Sequence, residues 1–362
     1  MTATDTPCVP QGSPNPAEPA PTAPPNDFPF HAGEQALQVR TGVRDRMEQM
    51  GRKVIRDFMP DQHRALFAEL PFLVVGALDG RRRPWASVLV GTPGFISSPD
   101  PWSLRIAAHP GYGDPIAAGL AAGAPVGLLG IQLETRRRNR MNGTVVEADE
   151  GGFLVRVGQS FGNCPQYVQA RTPIFVAEPS SVIAPRPVQV EGSILSAAAC
   201  ALANRADTFF IATAFPAARG GDPVEGVDVS HRGGKPGFVR LGEDGNRTVL
   251  TSPDFRGNSA FNTLGNLALN PRAGVVFVDF ATGDSLSLIG EAEVVWGGPE
   301  LETFVGAQRL LRFRVDEGVW IGNAVPLRWS APEPAPQLAA TGSWEDAERA
   351  IAAANLTKEI VG

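Results

Sequence analysis

Between residues 72 and 162 the apolar positions come in short β-branched and aromatic runs broken by Gly and Pro: FLVVGALDG, PWASVLVG, SLRIAA, VGLLGIQL, MNGTVVEAD and FLVRVGQSF. Runs of this length bounded by turn residues predict strands that fold into a small antiparallel barrel or sandwich. Ahead of them the period changes. Val43, Met47, Met50 and Val54 recur at helical spacing and predict an amphipathic helix over about 34–57. A shorter helix over about 61–69 follows Pro60, with Asp61 near its cap. One helical patch, DPIAAGLAAGAP, falls between the third and fourth strands.

The same order of runs then appears a second time. FLVVGA near Phe72 is echoed by FFIATA near Phe209, RRRPWASVLVG by GGKPGFVRLG, and GDPIAAGLAAGAPVGLLGI by GNSAFNTLGNLALNPRAGVVFV. The separations are 137 residues from Phe72 to Phe209, 152 from Pro84 to Pro236 and 147 from Gly143 to Gly290. The expected fold class is therefore mainly β, a tandem duplicated barrel with flanking helices. The expected domains are 31–185, with the leading helices, and 190–332, joined near APRPVQVEG. An Ala-rich terminal helix is expected over 343–360. Nine of the first thirty residues are proline, which predicts a disordered leader over 1–30.

Composition narrows the function classes. With 32 Lys and Arg against 38 Asp and Glu the net charge is −6, so a general nucleic-acid binder is not expected. No apolar run approaches the roughly 18 residues of a membrane span, and nothing before Arg40 resembles a secretory signal. A cytoplasmic location follows as the expectation. Cys8, Cys164 and Cys200 form no C-x-x-C and suggest no disulfide framework. No metal site is expected either, because His31, His63, His109 and His231 are scattered.

Candidate chemistry concentrates in the second half. In HRGGKPGFVR, a glycine turn flanked by Arg232 and Lys235, with His231 before it and Arg240 after, would let backbone and cations approach an anion together. The helix start near Gly257–Ala260 would aim free backbone donors at the same anion. A solvated basic hairpin would show the same spacing.

The run from PGFVR through SPDFRGNSAFNTLGNLALNPRAGVVF resembles the flavin-binding split barrel of the pyridoxamine 5′-phosphate oxidase-like superfamily. FHAGE, IRDFMPDQHR, LPFLVVG, SFGNCPQYVQ and SHRGGKPGFV are similar to its two-module branch, over about 30–329. The resemblance implies FMN as cofactor, its phosphate held by the strand Phe238, Val239, Arg240 and by the loop–helix positions near Phe261, Asn262 and Thr263. The family's loop cation is missing there, so His231, Arg232, Lys235 and Asn258 would have to compensate. GDPIAAGLAAGAP has no cation, which makes the first barrel mainly a structural wall of the cleft. F420 or haem are alternatives that the same architecture hosts.

Three charge-assisted hydrogen bonds give about 4.5–9 kcal/mol gross, against about 8 kcal/mol net for micromolar binding, so the flavin ring must be packed as well. Trp85, Phe238 and Tyr167 are candidates for that surface, and also for plain core. Asn163 and Gln166 fit either a reader of the flavin's pyrimidine edge or a tight turn, and Cys164 reads as a packed thiol. The expected activity is that of a flavin-dependent oxidoreductase acting on a small molecule or a redox partner, or else a flavin carrier without turnover. No catalytic acid or base is assigned. A homodimer is an open possibility.

Two further features compete for attention. GQSFG, Gly158–Gly162, matches the G-x-S-x-G nucleophile elbow with Ser160 as serine, but Pro165 and antiparallel flanks argue against the strand–turn–helix it requires. The arginine runs 81–83 and 136–140 read as a solvated rim, or as a patch for an acidic partner or a substrate phosphate.

Overall fold

The computed structural model describes residues 29–361; Cys8 and the leader, apart from Pro29 and Phe30, lie outside the described residues. Three helices come first, α1 (Ala32–Arg40), α2 (Arg44–Val54) and α3 (Asp61–Glu69). The single helix expected over 34–57 is thus two, broken at Thr41–Gly42. The cap of α3 is Pro60, and Asp61 is its first helical residue.

Seven strands follow: β1 (Phe72–Leu78), β2 (Pro84–Val90), β3 (Ile96–Ser97), β4 (Ser103–Ile106), β5 (Pro125–Gln132), β6 (Arg137–Asp149) and β7 (Gly152–Gly162). Their sheet order is β2-β1-β5-β6-β7-β4-β3, with every pairing antiparallel. DPIAAGLAAGAP forms only a 3₁₀ turn, Ala117–Gly119. Its Gly and Pro content opposes a regular helix.

After β8 (Pro173–Phe175) come β9 (Val188–Glu191), α4 (Ala197–Arg205), β10 (Thr208–Ala214), β11 (Val227–Gly233), β12 (Arg240–Asp244) and β13 (Arg247–Phe255). They are followed by α5 (Asn262–Leu269), β14 (Arg272–Val278), β15 (Ser285–Val295), α6 (Pro299–Thr303), β16 (Ala307–Ile321), β17 (Leu327–Trp329) and α7 (Trp344–Val361). The second sheet runs β11-β10-β14-β15-β16-β13-β12, the order of the first, with β9 added on β16. The protein is mainly β, two large antiparallel sheets and the short antiparallel pair β8–β17, with flanking helices.

Side-chain alternation explains how the sheets close and pack. Leu73 and Val75 of β1 point into a first core shared with side chains of all seven strands, among them Leu89, Ile96, Leu104, Leu128, Met141 and Val155. A sheet whose every strand feeds one core must curl around it. Phe209 and Ile211 of β10 do the same for the second core, with Val275, Leu288 and Phe313. The alternate residues, Phe72 and Val74 against Phe210, Ala212 and Val276, form a third core in the seam between the sheets. Contact there is close: a Cβ on Gly274 would lie 2.2 Å from the Pro84 carbonyl oxygen.

The ladders relate the halves residue by residue. Phe72–Leu78 pairs with Val90–Pro84 as Thr208–Ala214 pairs with Gly233–Val227. The counterpart of Phe72 is therefore Thr208, one residue from the sequence match at Phe209, because a shift of one would turn the core face into the seam. Pro236 corresponds to Pro93 rather than Pro84. GTPGF (91–95) and GKPGF (234–238) make the same turn, Phe95 N donating to the Thr92 carbonyl and Phe238 N to that of Lys235, both at 2.9 Å. Gly143 and Gly290 each sit at a register shift in their strands, β6 and β15.

Candidate functional site

One cleft, a cavity of about 120 Å³, opens along the seam. The end of β7 and the following turn give it Asn163, Cys164, Gln166 and Tyr167; β6 gives Arg138 and Arg140; β11 gives Ser230 to Gly233. The end of β13, the loop to α5 and the first turn of α5 supply Pro253–Asn258, Ser259 and Phe261–Leu264, and Arg309 enters from β16.

The period of two on β6 and β11 places this chemistry. Arg138 and Arg140 share a face of β6, and both line the cleft. Arg140 is almost fully buried, pairs with Asp228 at 2.7 Å and donates to the Asn262 Oδ1 at 2.9 Å and to Ser230. Thr263 Oγ1 bonds Ser230 Oγ at 2.8 Å, which ties the helix start to β11. Arg232 and Arg309 share Asp254, each at 2.6 Å. Arg138 donates to the Cys164 carbonyl at 2.7 Å, and no carboxylate among the described residues pairs with it.

These cations repel one another. Burial, then Arg140 and Arg232, hold the Arg138 guanidinium down to about 10. Burial also lowers Arg140, with Asp228 opposing and Arg232 adding to the shift. His231 is held well below its usual value by burial and then by Arg138, Arg232 and Arg171, so it is a neutral imidazole at pH 7. Arg140 Nε, Arg232 Nε, His231 Nε2 and Asn163 Oδ1 are buried with no partner among the described residues. Such atoms are costly unless a ligand satisfies them.

The first turn of α5 adds donors. Its cap, Phe261, is held at φ 67° and has no side-chain cap bond, and Ser259 just before it is at φ 63°. Two non-glycine residues in the left-handed region mark a loop shaped by its surroundings. Uncapped N–H groups facing a cavity favour an anion. Behind them, α1 brings Glu34, whose carboxyl oxygens accept from Asn262 Nδ2 at 2.5 Å and from the His31 N–H at 2.8 Å.

Of the residues expected from the sequence, His231, Arg232, Asn258, Asn262, Thr263, Asn163, Gln166 and Tyr167 line the cleft. The others lie elsewhere. Lys235 Nζ donates to the Thr341 carbonyl at 2.6 Å. Arg240 pairs with Glu300 and Glu348 and lies over the Trp344 ring. Phe238 and Val239 belong to the second core, Phe238 stacked on Phe209. Trp85 sits in the first core with its Nε1 bonded to Asp79. The GKPGF turn thus lies outside the cleft, as does GTPGF in the first half. The first half is also more than a wall, since β6 contributes two of the cleft's arginines.

The arginine runs divide: Arg81, Arg82 and Arg137 are exposed, whereas Arg138 and Arg140 line the cleft. Arg82 bonds the Ala218 carbonyl, Arg83 pairs with Asp79 and Glu317, and Arg136 with Glu333. Ser160 lies fully buried in mid-strand of β7, bonded to His63 Nδ1 at 3.0 Å. No elbow exposes it.

Neither a family model nor a curated protein matches the chain. Among solved structures, it is similar to HupZ of Group A Streptococcus, at 15% identity over 34% of this chain and 90% of that one, TM-score 0.26. It is similar to a protein related to general stress protein 26, of the pyridoxinephosphate oxidase family, from Clostridium acetobutylicum, at 11% identity over 37% and 91%, TM-score 0.25. A FAD-binding protein from Mesorhizobium loti matches at 13% identity over 37% and 98%, TM-score 0.23.

Proposed function

We propose that the cleft binds FMN and that the chain is a flavin-dependent oxidoreductase, placed in the cytoplasm and acting on a small molecule or a redox partner. The observation that carries this reading is the set of buried, unpartnered donors, Arg140 Nε and Arg232 Nε, beside the uncapped first turn of α5. A phosphate would satisfy them and relieve the repulsion among Arg138, Arg140 and Arg232. Tyr167, stacked on Phe255 at 4.9 Å, and Phe261 offer flat surface for a ring. Bound FMN would supply reversible two-electron chemistry, and the arginines' positive field would favour its reduced, anionic form. Among the described residues no helix is long and apolar enough to cross a membrane.

The test is a spectrum of the purified protein, FMN release on heating, and anaerobic addition of NADH or NADPH. Flavin bands that bleach support the oxidoreductase, and flavin bands that no donor bleaches support a carrier. A protein that neither carries nor takes up FMN overturns the reading. One observation favours a second reading: His231 lines the cleft as a neutral imidazole whose buried Nε2 has no partner among the described residues, the form of imidazole that ligates haem iron. A Soret band lost in His231→Ala would establish it.

A further inference from the structure

The strand registers define a second cleft that corresponds to the first, with serines where the first has its strand arginines. Leu129 of β5 and Val276 of β14 are counterparts, facing Val74 and Phe210 in their ladders. By the same registers Ser230 and His231 correspond to Ser87 and Val88, and Arg232 to Leu89. On β6 and β15, Met141 faces Leu128 as Leu288 faces Val275, so Arg140 corresponds to Ser287 and Arg138 to Ser285. Val276, Ser87, Val88, Ser285 and Ser287 together line a separate cavity of about 20 Å³, room for about one water.

The helix-start position differs as well. Asn258 Oδ1 accepts from the N–H of Ala260 at 3.1 Å, and Asp114 Oδ1 accepts from that of Ile116 at 3.0 Å, the same local turn. The second cleft therefore carries a carboxylate where the first carries a neutral amide. Asp114 also accepts a hydrogen bond from Ser87. The connection before β9 covers this side: Val182 and Arg186 line the cavity, and Arg186 donates to the carbonyls of Ser181, Ala184 and Asn323.

Resting on the FMN reading above, we propose that each chain binds one ligand, that Arg138 and Arg140 select the cleft that binds it, and that Ser285, Ser287 and Asp114 keep the counterpart closed. The arginines come from the first half and the helix start from the second, so neither half alone holds a full anion site.

Calorimetric titration of the full chain, stripped of any carried ligand, with FMN tests this. One equivalent per chain is expected. Arg138→Gln breaks no ion pair and loses one hydrogen bond, to the Cys164 carbonyl, so it should stay folded with a melting temperature within a few degrees of wild type and weaken FMN binding by about tenfold or more. Ser285→Ala with Ser287→Ala should leave binding within about twofold. Two equivalents per chain, or a loss confined to the double serine variant, overturns the selection while leaving the FMN reading intact. If the wild-type chain binds no FMN, the FMN reading falls and this inference with it.

Discussion

Behind the first turn of α5, burial pushes the Glu34 carboxyl up to about 8, helped by the Asp228 charge and opposed by the His31 N–H, Asn262 and Arg140. Its neighbour His31 is held down to about 4 by burial. Both are uncharged at pH 7, so their 3.5 Å contact is no ion pair there. An unfolded Glu titrates near 4.5. Between that value and about 8 the folded chain holds a proton that the unfolded chain has lost, so rising pH drains stability. The contribution is complete below the lower value and gone above the upper one. Below pH 6.5 the lowered His31 contributes a slope of the opposite sign, so the test lies between 6.5 and about 8, where Glu34→Gln should make the fall of stability in denaturant unfolding shallower by up to about 1.4 kcal/mol per pH unit. An unchanged slope would place the titration elsewhere. At this scale the sequence was half legible. His231, Asn262 and Thr263 are readable from their loop and helix start, whereas Arg138 and Arg140 hide in a charge run. Strand period of two was the signal that separates them from Arg137, which the cleft does not use.

Among the elements, α1 and α5 show how closely the site is braced. A Cβ on Gly265 would lie 2.6 Å from the backbone nitrogen of Glu34. On an open helix, Gly to Ala gains about 1 kcal/mol. Here the new carbon meets backbone that cannot rotate away, so Gly265→Ala should instead cost about 1–2 kcal/mol and weaken FMN binding, as read by urea unfolding and titration. A more stable variant would show that α1 yields freely. Strands were the most legible elements, since buried β-branched runs between turn residues have few other uses. DPIAAGLAAGAP misled because its apolar spacing looks helical while its glycines and prolines forbid more than a turn. The GKPGF turn misled for a different reason. Glycine beside lysine looks like an anion loop, yet the folded turn lies outside the cleft and Lys235 Nζ donates to the Thr341 carbonyl.

For the whole molecule, the seam is the decisive contact. Gly274 lets β14 lie against the start of β2, and Gly274→Ala would drive a Cβ into the Pro84 carbonyl at 2.2 Å. The expected loss is about 3 kcal/mol in urea unfolding, together with lost FMN binding, because the seam sets the spacing of the arginines from α5. A variant with wild-type stability would mean that the sheets slide past each other. The duplicated order was legible as an echo of motifs, yet its registers were not, since a one-residue slip leaves composition unchanged while exchanging core for seam. Both walls of the cleft belong to a single polypeptide, joined by the apolar contact of Phe72 and Val74 with Phe210 and Val276. Ligand affinity should therefore be indifferent to dilution, where a pocket shared between separate chains would come apart.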